Sequence, residues 1–327
     1  MRKFKVWLLP YILLIIVSIL LTLFIFAKDN IKEKIYLEIS KGNIYEAEKL
    51  VYEVLKNDPN NPDALFAKVI IILHYVQKQP LQKRNQAKYQ ECLDILDLLS
   101  KRLNGFYYYH YIRAKVLEEM GKVDQAMKEY DNCIYHNPKF TDCYISISML
   151  EWKRGNIDQA FEIARKVQDK YKSKMLISWY YYQLHDFDQS LNLLQQIIEN
   201  PVIFKQVSQN RNVLNELYFQ IMWISYRAGK STKYWIEQNK KYNTSDYQYE
   251  LANILDMVYN SKDEEAARNC LYNISRFPYK PYSYFILYTI LKKHDKAKTK
   301  NYIFFLRKAV EMDLYNLDFK KVLEKEK

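Results

Sequence analysis

Glycine and proline are scarce in this chain, at five and eight among 327 residues. An all-β domain of this length needs many tight turns built on those two residues, so the scarcity excludes one and points to helices. Histidine is rare as well. The five, at 74, 110, 136, 185 and 294, never pair four apart as a zinc-binding HExxH helix requires. There is no Gly-rich loop to cradle a phosphate and no GxSxG elbow. The four cysteines, Cys92, Cys133, Cys143 and Cys270, form no CxxC pair and have no histidine pair at zinc-ligand spacing. A chain this long is not a short disulfide-stapled scaffold, and its cysteines read as small apolar fillers on helix faces. The carboxylate clusters "EE" (118–119) and "DEE" (263–265) suit solvated helix ends. No catalytic set, metal site or cofactor motif remains, so a non-enzymatic role is expected.

What the chain does have begins at its start. "MRKFK" precedes Trp7 to Ala27, 21 residues without a charge. A helix of that length rises about 31 Å, matching a hydrocarbon core of about 30 Å. Fifteen of the 21 are Leu, Ile, Val or Phe, which favours insertion by roughly 4 to 9 kcal/mol before the polar positions are counted. The run is longer than a signal-peptide core, and Ile25 would sit at −3 of a cut after Ala27, so an uncleaved anchor is expected over residues 1–27. Arg2, Lys3 and Lys5 favour an N-terminus inside, while Lys28, Lys32 and Lys34 pull the other way. The expectation is a single-pass protein of a bacterial inner membrane with the remainder outside the cytoplasm.

That remainder repeats itself. "GKVDQA" (121–126) returns 34 residues later as "GNIDQA" (155–160), and "GNIYEA" stands at 42–47. The glycine stops one helix in the left-handed conformation, and the acid that follows suits the positive start of the next helix. Ala126 lets that helix lie close to its predecessor, and Tyr130 and Cys133 continue the same face. Asn137-Pro138 then closes the repeat. Ala114 lies on the apolar face of the first helix. Tyr144, Ser148, Gly155, Ala160, Ala164 and Val167 stand 34 residues after His110, Ala114, Gly121, Ala126, Tyr130 and Cys133. Gly42, Gly121, Gly155 and Gly229 share the turn position, while Pro59, Pro62, Pro138, Pro201, Pro278 and Pro281 fall between repeats.

A 34-residue helix–turn–helix with these small residues, an aromatic and a closing proline resembles the tetratricopeptide repeat (TPR) family. The resemblance implies an all-α solenoid, a right-handed superhelix of helical hairpins behind the N-terminal transmembrane helix. Copies are expected at about 28–61 (Gly42, Ala47, Pro59), 62–106 with an insertion around 77–87, 107–140, 141–174 and 175–201 (ending at Pro201). More degenerate copies fill 202–327, marked by Gly229 and Pro278, with 304–313 as a closing helix before a solvating tail.

The resemblance also implies that first helices line a concave groove that takes protein partners. In this register the groove candidates are Phe66, Ile70, Tyr108, Tyr111, Lys115, Ile145, Met149, Trp152, Lys153, Phe219, Trp223 and Arg227. Tyr, Trp and Arg are interface anchors, and rings at helical spacing also serve as core. The expected partner is a protein, acidic or presenting an extended segment, held near the membrane in an envelope or secretion complex. A location outside the cytoplasm argues against nucleic acid. The alternative rests on the net charge of +12, densest in "KKHDKAKTK" (292–300) and "KYKSK" (170–174): a basic surface that binds an anionic polymer or lipid surface.

Overall fold

The computed structural model describes residues 31–77, 85–242, 245–295, 299–313 and 316–326. Among the described residues there are 18 helices and no strand. The apolar segment 7–27 lies outside the described residues, as do residues 78–84 of the polar insertion. Among the described residues no helix is long and apolar enough to cross a membrane.

The chain divides into two compact units, Met1–Pro138 and Lys139–Lys327. The first holds α1 (31–41), α2 (Ile44–Asn57), α3 (Pro62–Gln77), α4 (Gln86–Leu103), α5 (Tyr107–Glu119) and α6 (Val123–His136). The second holds α7 (Thr141–Arg154), α8 (Ile157–Lys166), α9 (Lys170–Gln183), α10 (Phe187–Glu199), α11 (Pro201–Ser208) and α12 (Arg211–Arg227). It continues with α13 (Lys233–Tyr242), α14 (Asp246–Tyr259), α15 (Asp263–Arg276), α16 (Pro281–His294), α17 (Ile303–Met312) and α18 (Leu317–Glu324).

One turn geometry builds the hairpins. The N–H of Asn43 donates to the Glu38 carbonyl at 2.9 Å, and Lys122 to Leu117, Asn156 to Glu151, Asp186 to Tyr181, Lys230 to Ser225 and Lys262 to Met257 do the same at that distance. The residue before each donor is left-handed. It is glycine in four turns (φ 80° at Gly42, 74° at Gly121, 85° at Gly155, 67° at Gly229), but His185 (68°) and Ser261 (58°) in the other two. This bond satisfies a carbonyl that the ending helix would otherwise orphan. The six-residue phrase is therefore a helix stop written in sequence, and two turns make the stop without glycine.

The small residues do the packing. Ala47, Ala114, Ala126, Ser148, Ala160, Ser178, Ser190 and Ala266 are all fully buried. Where serine replaces alanine its hydroxyl is satisfied. Ser148 Oγ donates to the Ala160 carbonyl at 2.7 Å, and the Ser178 and Ser190 hydroxyls each bond the other residue's carbonyl, at 2.9 and 2.8 Å. Tyr130, Cys133, Ala164 and Val167, on the same repeat register, are fully buried too.

Three local features depart from the expected register. The fourth repeat ends early: α8 has only 10 residues, and α9 begins at Lys170 where a copy from about 175 was expected. Asp169 is the reason, since its carboxylate caps the amides of Tyr171 and Lys172. Pro201 opens a short extra helix, with Asn200 as its cap. Finally, the expected solvating tail is helix α18, which turns inward. Among the cysteines, Cys92 and Cys270 are free, and burial pushes their thiols up to about 12. Cys133 and Cys143 are disulfide-bonded, so the filler reading holds for the first pair and fails for the second.

Candidate partner-binding surfaces

In the N-terminal unit the candidates gather where α3 meets α5. Phe66 is 2% exposed, and the rings of Phe106 and Tyr108 stand edge-on to it at 6.2 and 6.1 Å. Tyr111 stacks on Tyr108 at 5.8 Å. Ile70, Tyr108, Tyr111 and Lys115 are half-buried. The Lys115 ammonium is paired with Glu118 at 3.0 Å. Phe106, at the start of α5, is the exposed ring of this cluster at 41%.

In the C-terminal unit, α7 presents Met149 at 37% exposure, with Ile145 and Lys153 half-buried. Trp152 is turned inward, with its ring stacked on Tyr180 at 4.5 Å and 5°. Phe219 and Trp223 are buried at 5% and 3%. Four of the expected groove rings, Phe66, Trp152, Phe219 and Trp223, are thus sealed between helices and present no surface to a partner. The physical reason is simple: fully burying a side chain of this size is worth about 2 to 3 kcal/mol, and a ring at helical spacing meets the neighbouring helix first.

Arg227 sits at a different kind of place. It lies on α12, a first helix of its hairpin, and faces α18. Its guanidinium forks onto Asp318, Nε to Oδ2 at 2.8 Å and Nη2 to Oδ1 at 2.6 Å. Asp318 is fully buried. The Tyr182 hydroxyl on α9 donates to the same carboxylate at 2.7 Å, and the Trp223 indole N–H donates to that hydroxyl at 2.8 Å. His185 Nε2 lies 2.8 Å from Asp318 Oδ1. Gln183 Oε1 accepts from the Leu317 amide at 2.6 Å, and Asn316 caps α18 by accepting from the Phe319 amide. The Arg227 guanidinium also lies over the Phe285 ring at 4.4 Å, and the fully buried Phe319 stacks on the other partner, Phe285 of α16, at 4.7 Å.

Charge and burial oppose each other here. Burial works against the Arg227 charge, but Asp318 outweighs it and holds the guanidinium above its usual value. Burial, then the Asp318 charge, raises the Tyr182 hydroxyl well above its usual range. Burial lowers the His185 imidazole, and Asp318 opposes this only in part. The arrangement can do no bond chemistry; it is a recognition site for a carboxylate followed by a ring.

Asp318, Phe319, Tyr182, Gln183 and Phe285 were not among the sequence candidates. A signal was present in "NLDFKKVL" (316–323): an asparagine cap, an acid in the first turn, and Phe319, Val322 and Leu323 at helical spacing.

The basic runs are largely engaged within the chain. Lys292 bonds Glu326, Lys293 and His294 bond Asp263 at 2.6 and 2.7 Å, and Lys172 bonds Asp142 at 2.7 Å.

No protein-family model matches the chain, and no curated protein matches it. Solved structures do. A tetratricopeptide repeat protein of Parabacteroides merdae superposes with a TM-score of 0.53 at 16% identity, over 80% of this chain and 98% of that one. A thermophilic TPR protein of Thermus thermophilus gives 0.46 at 13% identity, over 58% and 96%. The first likeness establishes that this chain has the tetratricopeptide-repeat fold; at these identities neither carries a function across.

Proposed function

We propose that this protein is a membrane-anchored TPR scaffold that docks a polypeptide segment of a partner protein outside the cytoplasm, in an envelope or secretion assembly, and that it carries out no catalysis. The observation that carries this reading is α18 itself. First helices of the C-terminal unit hold a short polypeptide helix through a charge fork, a ring stack and backbone capture, which is the chemistry of peptide recognition. The exposed Phe106 and Met149 add apolar contact surface in each unit. The disulfide-bonded state of Cys133 and Cys143 supports an oxidising compartment. The charge-free run at 7–27 supports the anchor. The basic-surface alternative is not advanced, because Lys172, Lys292 and Lys293 of the two densest runs have carboxylate partners.

The test is photo-crosslinking in intact cells from a probe at Phe106 or Met149, combined with external protease. The expected result is a discrete protein adduct from a carbonate-resistant membrane fraction, with the repeat region cleaved from outside. Binding that collapses steeply with salt, or a repeat region protected by the membrane, would overturn the reading.

A further inference from the structure

Helix α18 is placed as a ligand would be. It has eight residues, and only Asp318 and Phe319 of them are buried. A free helix this short does not persist in water, so its form depends on the wall that holds it. Its contacts reach α9, α12 and α16, first helices of three hairpins, across sequence separations of 91 to 136 residues. Recognition is concentrated in two adjacent side chains. Asp318 takes the Arg227 fork and the Tyr182 hydroxyl, and Phe319 takes the Phe285 ring.

The fit is also incomplete. Gln183 is fully buried, and its Nε2 has no hydrogen-bond partner. A buried donor in that state costs about 1 to 3 kcal/mol, which an incoming carbonyl or carboxylate would recover. Leu317, the first residue of α18, packs against the cluster built on Trp152 of α7. One turn before Trp152 on that helix, Met149 is open to solvent at 37%. The resident helix therefore stops short of apolar surface that a longer segment would cover.

We propose that this wall is a receptor for a helical segment that opens with an acidic residue followed by an aromatic one, that α18 is its resident occupant, and that a partner protein's segment of the same chemistry enters by displacing α18. The inference rests on the scaffold reading above and gives it a ligand class and a gate. Tethering gives α18 an effective concentration in the millimolar range, so a segment of equal contact competes poorly and a longer one wins by the additional surface.

The experiment uses the purified full chain and a fluorescent peptide with the sequence of residues 313–326. Weakening the resident helix in the chain, by Asp318→Asn or by Phe319→Ala, is expected to tighten peptide binding at least about tenfold over the unmodified chain, because the tethered competitor is weakened. The peptide carrying Asp→Asn at its own acidic position is expected to bind the Phe319→Ala chain about tenfold more weakly. Hydrogen exchange of the unmodified chain is expected to show α18 amides opening roughly a hundredfold more often than those of α12. Variants that melt cooperatively and bind the peptide no better than the parent overturn the proposal. So do α18 amides that exchange only with global unfolding, a measurement that needs no variant to fold. A concentration-dependent dimer that exchanges α18 between copies also overturns it, since the occupant is then a second copy. Because these readouts use purified protein, they can fail while the cellular crosslink from Met149 succeeds, and the reverse.

Discussion

Replacing Asp318 by asparagine keeps the side chain's size and removes its charge. In the parent, the carboxylate is fully buried and takes two bonds from Arg227, at 2.6 and 2.8 Å, and one from Tyr182 at 2.7 Å. Arg227 is itself only 14% exposed. Breaking a buried pair from one side costs about 3 to 5 kcal/mol, because a charge is left without its partner in a dry place. Asparagine still offers an acceptor to Tyr182, so the lower end of that range is expected, about 3 kcal/mol. Urea unfolding followed by circular dichroism measures it. Arg227→Met is expected to cost a similar amount. The double variant is expected to cost about the same as either single one, for a coupling of roughly 2 to 3 kcal/mol. There is a ceiling. If α18 undocks as a unit, the loss cannot exceed its docking free energy, and the variant's native state then exposes more surface and gives a lower m-value. An Asp318→Asn chain within about 0.5 kcal/mol of the parent, or singles that add without coupling, would refute the reasoning.

Three further outcomes are expected. Gly121→Ala places a methyl group in open space at φ 74°, so its cost of about 1 kcal/mol is purely backbone; Ser261→Gly, at φ 58°, is expected to stabilise by roughly 0.5 kcal/mol, and equal signs in denaturant melts would contradict the turn assignment. Bonds from Lys293 and His294 hold the Asp263 carboxyl below its usual value. That depressed group contributes stability above the unfolded pKa of about 3.9 and loses it as pH falls through its lower folded value. The melting-temperature gap between parent and Asp263→Asn should therefore be constant at neutral pH and close in acid; a gap that widens below pH ~4 would reverse the sign argued here. Lastly, burial that lifts the Cys92 and Cys270 thiols to about 12 predicts no alkylation of either at pH ~8 until the chain is unfolded, as mass spectrometry of iodoacetamide-treated protein would report.

The hairpins were legible because their stops are written in backbone chemistry. Glycine at 42, 121, 155 and 229 has a conformational meaning that holds wherever it occurs. The same logic missed His185 and Ser261, since a left-handed histidine or serine leaves no compositional mark. The groove was less legible. Sequence spacing puts Trp152 and Trp223 on a helix face, but which neighbour covers that face depends on contacts between residues far apart in the chain. Arg227 was assigned to the groove wall and does face a polypeptide; that the polypeptide is α18 required seeing a bond across 91 residues. The basic runs misled for a related reason, because the carboxylates that engage them lie about 30 residues away in the chain.

The fork between Arg227 and Asp318 also imposes an order on biosynthesis. Translation proceeds at about 5 to 20 residues per second, so the 91 residues between them take roughly 5 to 18 seconds to make. During that interval the arginine and its surrounding rings exist without their carboxylate. A nascent chain of this protein is thus briefly an open receptor, and whatever acidic, ring-bearing segment it meets while emerging has the first chance at the seat.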